Sequence, residues 1–337
     1  MKILVTAPYN TSAREQLSKT LGEVVYKPWN DNERPYNGDE LIRLLRENSA
    51  DALIIEYDEV SEKVIESNPG LQFIGVCRGT PSNVAMKAVT AAGIPVFFTP
   101  ARNAQAVAEM FIANLITFLR NTIDSIRWLK SGRWGEDAHT SYLKFKGNEL
   151  AGKTIGMVGF GAVGQRIANL MACFPCPILF YDPYIEHFQP EYKRTTIEDV
   201  FASSDIVAIH LPVNPHTKGM IDKSLLSLMK PGAIFINTAR AVVVNRNDLL
   251  DVLENERIRG AILDVFDHEP PDETDNRIIN LPNVLATPHI AGATFEVEDH
   301  HAGIMNEAIL DWFVNKKSYS RLLANDEILT SRTGQPG

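Results

Sequence analysis

Short runs of Val, Ile, Leu and Phe recur through the first hundred residues, separated by stretches that are polar and periodic. The runs Lys2–Thr6, Glu23–Tyr26, Ala52–Glu56, Phe73–Cys77 and Pro95–Phe98 predict strands, being short and rich in β-branched or aromatic residues. Between them, Asp39–Glu47 (with Leu41, Ile42, Leu44 and Leu45) and Val60–Glu66 set apolar residues at helical spacing. Such alternation predicts a parallel sheet covered by helices. A longer helical pattern opens at Asn103 as N-cap. It carries Ala106, Val107, Met110, Phe111, Asn114, Leu115 and Phe118 on one face and runs toward Leu129. Lys130–Lys146, with two glycines and scattered charges, reads as an extended surface loop.

A second alternating series begins at Thr154. It predicts strands at Thr154–Val158, Ile178–Tyr181, Ile206–Ile209, Ala233–Asn237, Gly260–Asp264 and Val284–Ala286, with helices such as Val163–Ala172 and Lys223–Met229 between them. Six such strands make a complete doubly wound sheet. Helix returns from Ala293 to Phe313, and the tail from Asn325 to Gly337 reads as mobile. The class is therefore α/β, with two doubly wound parallel sheets.

Composition narrows the partners. With 33 basic and 42 acidic side chains the net charge is −9, which argues against nucleic acid or an anionic membrane as partner. The N-terminus reads as a first strand rather than a signal peptide, and no stretch has the apolar length of a bilayer span. Three cysteines, Cys77, Cys173 and Cys176, form no disulfide framework, so a reducing, cytoplasmic setting is expected. Cys173 and Cys176 stand as C-x-x-C. Zinc needs four ligands and only one further Cys exists, so no metal is expected and the pair reads as two buried structural thiols rather than a redox couple.

Candidate chemistry begins at Gly159-Phe160-Gly161-Ala162-Val163-Gly164, after a predicted strand and at the opening of a helix. In that setting Gly159 allows the tight turn, Gly161 lets the backbone approach a pyrophosphate, and Gly164 permits close helix–strand packing. The helix start supplies free N–H groups and a positive dipole end. Asp182 closes the next strand, where a carboxylate accepts from both ribose hydroxyls of NAD and repels the 2′-phosphate of NADP. No Arg or Lys follows in Pro183–Glu186 to offset that repulsion. NAD is the expected cofactor.

Three further residues stand just past predicted strands: Arg240, Glu269 and His289. In an open parallel sheet, strand C-terminal ends face the ligand crevice. Hydride transfer at a 2-oxo acid needs a bidentate cation for the carboxylate and carbonyl, which suits Arg240. It also needs a proton donor, which suits His289. An acid behind the imidazole fixes its tautomer and favours its protonated form, which suits Glu269. Taken singly, each has a bland reading as a cap donor, a surface acid or a loop His. Their succession downstream of a nucleotide loop favours the chemical one.

These segments resemble the D-isomer-specific 2-hydroxyacid dehydrogenase family, which includes phosphoglycerate dehydrogenases, glyoxylate/hydroxypyruvate reductases and NAD-dependent formate dehydrogenases. The marks are Glu149-Leu-Ala-Gly-Lys153, His210-Leu-Pro212, Met229-Lys-Pro-Gly232, Asn237-Thr-Ala-Arg240, Leu263-Asp-Val-Phe266 with Glu269-Pro270, and Thr287-Pro-His-Ile290. The resemblance spans Lys2 to about Phe313. It implies a Rossmann domain, 102–291, inserted into a flavodoxin-like substrate domain, 1–101 plus 292–337. It implies Arg240 as substrate clamp, His289 as acid/base and Glu269 as its partner. Asp264 would hold the nicotinamide carboxamide, with Ala162, Val163, Pro212, Thr238 and Gly292 also lining the cofactor. It further implies a small D-2-hydroxy or 2-oxo acid as substrate and a homodimer, for which Lys130–Lys146 with Trp128 and Trp134 offers a packing arm.

The sequence also departs from the family pattern. Ala241 stands where the family usually has Gly. The substrate loop reads Cys77-Arg-Gly-Thr-Pro-Ser-Asn83, in which backbone N–H groups at Gly79 and Thr80 can take a carboxylate and Arg78 adds a cation. That points to a substrate larger or more anionic than formate or glyoxylate, such as a phosphoglycerate-like or sugar-acid-like compound, unless Arg78 simply pairs with a surface acid. The regulatory extension of long phosphoglycerate dehydrogenases is lacking. Two other readings remain open: an NAD(H)-sensing regulator of the corepressor kind, and a formate dehydrogenase, which the Cys77–Asn83 loop does not favour.

Overall fold

Ile3, Leu4 and Val5 are all fully buried, yet they serve two different cores. Ile3 and Val5 join one apolar cluster and Leu4 another. A strand's two-residue period demands this when helices cover both faces of its sheet. The computed structural model describes residues 1–135, 138–317 and 320–332. It divides into two units, Met1–Asn103 with Thr294–Gly337, and Ala104–Ala293.

In the first unit the strands are β1 (Ile3–Val5), β2 (Val24–Tyr26), β3 (Ala52–Ile55), β4 (Ile74–Val76) and β5 (Val96–Phe98). They lie in the order β2-β1-β3-β4-β5, every neighbouring pair parallel. Helix Glu296–Phe313 covers one face, packing Ala302, Met305, Ala308 and Ile309 with Ile3, Val5, Ile54 and Phe97. Helices Gly38–Glu47 and Glu62–Ser67 cover the other through Leu41, Leu45, Val64 and Ile65. The first of these starts in a capping box, Asn37 with Glu40, that ties off two backbone N–H groups.

The second unit holds β6 (Ile155–Val158), β7 (Ile178–Tyr181), β8 (Tyr192–Arg194), β9 (Ile206–Ile209), β10 (Ile234–Asn237), β11 (Gly260–Leu263) and β12 (Val284–Ala286). Their order is β12-β11-β10-β9-β6-β7-β8, again parallel throughout. From β6 the chain winds outward first through β7 and β8, then through β9 to β12. The crevice between β6 and β9 is therefore the switch point at which such sheets bind ligands.

Several expectations are corrected. The second sheet has seven strands among the described residues, not six, because Tyr192-Lys-Arg194 adds an edge strand whose Lys193 and Arg194 are exposed. The long helix stops at Leu119 and restarts at Thr122 with a bend of 63°, broken where Asn121 takes φ 50°. Lys130–Lys146 is not an extended loop. It contains a 3-10 turn, Arg133–Gly135, and a helix, Ala138–Lys144, while residues 136 and 137 lie outside the described ones. The last long helix starts at Glu296 rather than Ala293.

The tail is corrected too. Asn325 is buried, accepts from the Val96 N–H at 2.9 Å and donates to the Ile94 carbonyl at 2.9 Å, and helix Glu327–Arg332 follows with Ile328 buried. Residues 333–337 lie outside the described ones. All three cysteines are free. Cys77 is buried, but Cys173 is exposed and Cys176 only half-buried, so the expected pair of buried thiols does not hold. Among the described residues no single helix is long and apolar enough to cross a membrane.

Candidate active site

The glycine loop follows β6 directly. Gly159 takes φ +91°, and a Cβ there would lie 2.7 Å from the His210 carbonyl oxygen, so any side chain would strike the β9 end. A Cβ on Gly164 would lie 2.9 Å from the Gly159 oxygen, which forces glycine where the helix closes on the loop. Gly161 differs: nothing lies within 4 Å of its Cβ position, and it caps the ten-residue helix Ala162–Met171. The cradle is open on the side where helix N–H groups point, and it suits a pyrophosphate. Ala162 is exposed and Val163 half-buried beside it.

Asp182 stands at the end of β7 and is 9% exposed. Its carboxylate accepts from the Phe160 N–H at 2.7 Å and the Tyr184 N–H at 2.9 Å. It thus pins the glycine loop while keeping acceptor sites spare, since a carboxylate offers about four.

Arg240, Glu269 and His289 meet at the carboxyl ends of β10, β11 and β12. Asn237, buried at the end of β10, donates to the Arg240 carbonyl at 3.0 Å and so fixes that backbone. The Arg240 side chain is exposed, with Nη1 donating to the Ala239 carbonyl at 2.6 Å. A cavity of about 230 Å³ is lined by Arg240, Asp267, Glu269 and His289 together with Ala241, Val242, Val265 and Phe266. A larger one of about 370 Å³ shares Phe266, Glu269 and His289, but its other walls are prolines, Ile279, Ala286 and Thr287. The smaller cavity, which holds the guanidinium, fits a carboxylate.

Within it His289 Nδ1 lies 2.8 Å from Glu269 Oε2 and 3.0 Å from Oε1. Nδ1 facing a carboxylate carries the proton, so Nε2 is the nitrogen left for chemistry. The two side chains are 46% and 43% exposed, so the pair is open to a reactant. His289 takes φ 53°, a left-handed conformation that costs a β-carbon residue energy and recurs at functional sites.

Asp264 secures the loop that carries His289. It is 1% exposed and accepts from Thr287 Oγ1 at 2.6 Å, Ile290 N–H at 2.9 Å and Ala291 N–H at 2.8 Å. Three of about four acceptor sites are thus occupied within the protein. Thr238 has a buried hydroxyl with no hydrogen bond among the described residues. Pro212 is exposed after β9, and Gly292 is half-buried. Arg78, Gly79 and Thr80 belong to the other unit, following β4. There Arg78 sits over the Tyr57 ring at 5.2 Å, and Gly79 and Thr80 are exposed.

Sequence reasoning missed the charged cluster behind Glu269. Arg246 meets Asp267 at 3.4 Å, Asp272 at 2.8 Å and Asp275 at 3.3 Å. The spacing Asp272-x-x-Asp275 is legible as a capping box at helix Glu273–Ile279, but nothing in it points to Arg246.

The family described as "D-isomer specific 2-hydroxyacid dehydrogenase, NAD binding domain" matches residues 112–291. The "Putative 2-hydroxyacid dehydrogenase YoaD" of Bacillus subtilis (strain 168) is 56% identical over 329 residues, covering 98% of this chain and 96% of that protein. The D-3-phosphoglycerate dehydrogenase of Methanocaldococcus jannaschii is 32% identical over 314 residues, 92% of this chain but 57% of that protein, so the chain spans little more than half of it. Among solved structures, an acyclic imino acid reductase (Bsp5) in complex with NADPH and D-Arg superposes with TM-score 0.79 at 26% identity, covering 96% of this chain and 99% of that one.

Proposed function

The chain belongs to the D-isomer specific 2-hydroxyacid dehydrogenase family, and from that premise we propose that it moves a hydride between NAD(H) and C2 of a small D-2-hydroxy acid or its 2-oxo partner. The observation that carries the reading is the contact of both Glu269 oxygens with His289 Nδ1 beside Arg240. The nicotinamide, when bound, accepts or supplies the hydride. The open N-terminus at Gly161, with Asp182 beside it, would hold the dinucleotide, and Thr238, Pro212, Asp264 and Gly292 lie on loops at the same strand ends.

Arg240 binds the substrate carboxylate with paired N–H bonds and polarises the C2 carbonyl. In reduction His289 Nε2 gives its proton to the C2 oxygen; in oxidation the neutral Nε2 takes it back. Glu269 holds the tautomer in which Nε2 faces the reactant. In the first unit, Arg78 and the exposed backbone of Gly79 and Thr80 form a candidate anion site. The free thiols agree with a cytoplasmic setting. Exposed Ile116, Ile123, Ile126, Leu129 and Trp134 are apolar surface that a homodimer would cover. Light scattering at micromolar concentration should return twice the chain mass, and a monomer mass refutes the dimer.

A panel of 2-oxo acids with NADH, followed at 340 nm, tests the activity. Tight NADH binding without turnover on any of them would make the protein a sensor, and activity confined to formate oxidation would make it a formate dehydrogenase. The mechanism is tested by Glu269→Gln, which keeps the shape and removes the charge. The reductive rate falls as pH rises and His289 loses its proton. In the variant that fall should begin at lower pH than in the parent, with NADH affinity unchanged. A profile superimposable on the parent enzyme's overturns the pairing.

A further inference from the structure

The Glu269 side chain touches His289, but nothing in its own bonding explains why it stays there. Among the described residues it accepts, besides the imidazole contact, only a long one from the Phe266 N–H, at 3.4 Å. The residues on either side of it in the chain, by contrast, are tied to one point. Arg246 Nε reaches Asp267 Oδ2 at 3.4 Å. Its Nη1 reaches Asp272 Oδ2 at 2.8 Å, Asp275 Oδ1 at 3.3 Å and His268 Nδ1 at 3.3 Å. Asp275, 2% exposed, holds the segment from within: its Oδ2 accepts from the His268 N–H at 3.0 Å and the Asp272 N–H at 3.4 Å.

We infer that Arg246 is the positioning residue for Glu269: its fork gathers Asp267, His268, Asp272 and Asp275 around one guanidinium and so fixes the loop that aims the carboxylate at His289 Nδ1. This rests on the function proposed above. Arg246 opens helix Arg246–Glu254, where a cation faces the positive end of the helix dipole. Three carboxylates and a planar fork with several donors overcome that disfavour. His268, Asp272 and Asp275 bring three donor atoms within 4.8 Å of one another, as a metal site would, but the guanidinium already lies among them. Without it, three carboxylates would face one another and the segment carrying Glu269 would spread.

The charged groups that bear on His289 are Glu269, and Arg240 and Asp267 from the shared cavity wall. This makes direction the decisive readout. Arg246→Met removes a positive charge, which by charge alone would favour protonated His289 and move the reductive limb to higher pH. Displacement of Glu269 moves it lower. Arg246→Lys keeps the charge and loses the fork.

The test records pH profiles of 2-oxo acid reduction for both variants, in the parent and in a His268→Gln background so that the neighbouring imidazole does not titrate. We expect the limb to begin falling at lower pH in both variants, with kcat reduced more than KM changes and NADH affinity within twofold. Adding Glu269→Gln to either should give no shift beyond that of Glu269→Gln alone. An unchanged limb or an upward shift overturns the inference. If Arg246→Met does not fold, by circular dichroism and NADH binding, Arg246→Lys decides alone. A silent Glu269→Gln profile would instead overturn the proposed function.

Discussion

Two imidazoles in this chain have opposite surroundings and opposite uses. In the second unit His289 is half-exposed and turns Nδ1 to the Glu269 carboxylate, which leaves Nε2 to a reactant. In the first unit His301 is fully buried, with Nε2 at 2.6 Å from the Pro8 carbonyl and Nδ1 at 3.0 Å from Arg102 Nη1. The carbonyl requires a proton on Nε2 and the guanidinium requires a lone pair on Nδ1, so His301 is neutral and both nitrogens are spent. Arg102 in turn pairs with Glu56 at 2.8 Å, both side chains nearly buried. Burial beside a cation makes a histidine a structural tie. A carboxylate and an open face suit it to the proton transfer proposed for His289.

Substitution separates the two most strongly. His289→Gln should lose roughly 10²–10⁴-fold in turnover, the usual loss for a general acid, while NADH affinity and thermal stability hold. His301→Gln should do the reverse, lowering Tm and leaving turnover within a few-fold. Steady-state kinetics and thermal melts on both variants check this, and an inactive yet stable His301→Gln would erase the distinction.

Acid sharpens it. Burial pushes His301 down to about 4, whereas the unfolded side chain titrates near 6.5. Between those values the unfolded chain binds the extra proton, so stability is full above 6.5 and is lost as pH falls toward 4. Between pH 6.5 and 5 the loss is about 2 kcal/mol from this group. Melts across that range should show Tm falling in the parent and less steeply in His301→Gln. The remaining slope includes His210, which burial also pushes down to about 4. Equal slopes in parent and variant would contradict the burial argument.

The smallest effect concerns the cofactor end of the second unit. Asp182→Ala should narrow a preference for NADH over NADPH by about tenfold, and it should also loosen the glycine loop through the lost Phe160 N–H bond. Kinetics with both cofactors decide it. A parent enzyme that works equally well with NADPH would remove the premise.

Much of this is legible in the sequence where one residue type has one physical reason to be present. Short apolar runs such as Ile3–Val5 and Ala52–Ile55, bounded by polar residues and too short for a helix, read as strands buried on both faces. Gly159 and Gly164 each answer a separate steric demand, whereas Gly161 leaves its side of the loop open. Elements carried by few apolar residues escape such reading. Helix Thr11–Leu21 buries only Ala13 and Leu17, and β8 only Tyr192. The Arg246 cluster escapes for another reason: its members span some thirty positions and meet only because β11 and two helices bring them together. Charge alone does not say which acids share a cation. Asn325 and Ile328 look like tail because a single buried amide bonding to a strand edge leaves no periodic trace.

The split first unit has a consequence for how the protein is made. A ribosome adds about 5–20 residues per second, and helix Glu296–Phe313 emerges roughly 200 residues after β5. For some 10–40 s the sheet face bearing Ile3, Val5, Ile54 and Phe97 has only Ala13 and Leu17 of helix Thr11–Leu21 against it and lacks Ala302, Met305, Ala308 and Ile309, while Ala104–Ala293 is synthesised in full. The middle of the chain can therefore reach its native form before the beginning does. A message cut short near codon 295 would yield one finished unit attached to a half-covered apolar sheet, a species that engages chaperones or aggregates rather than a smaller working protein.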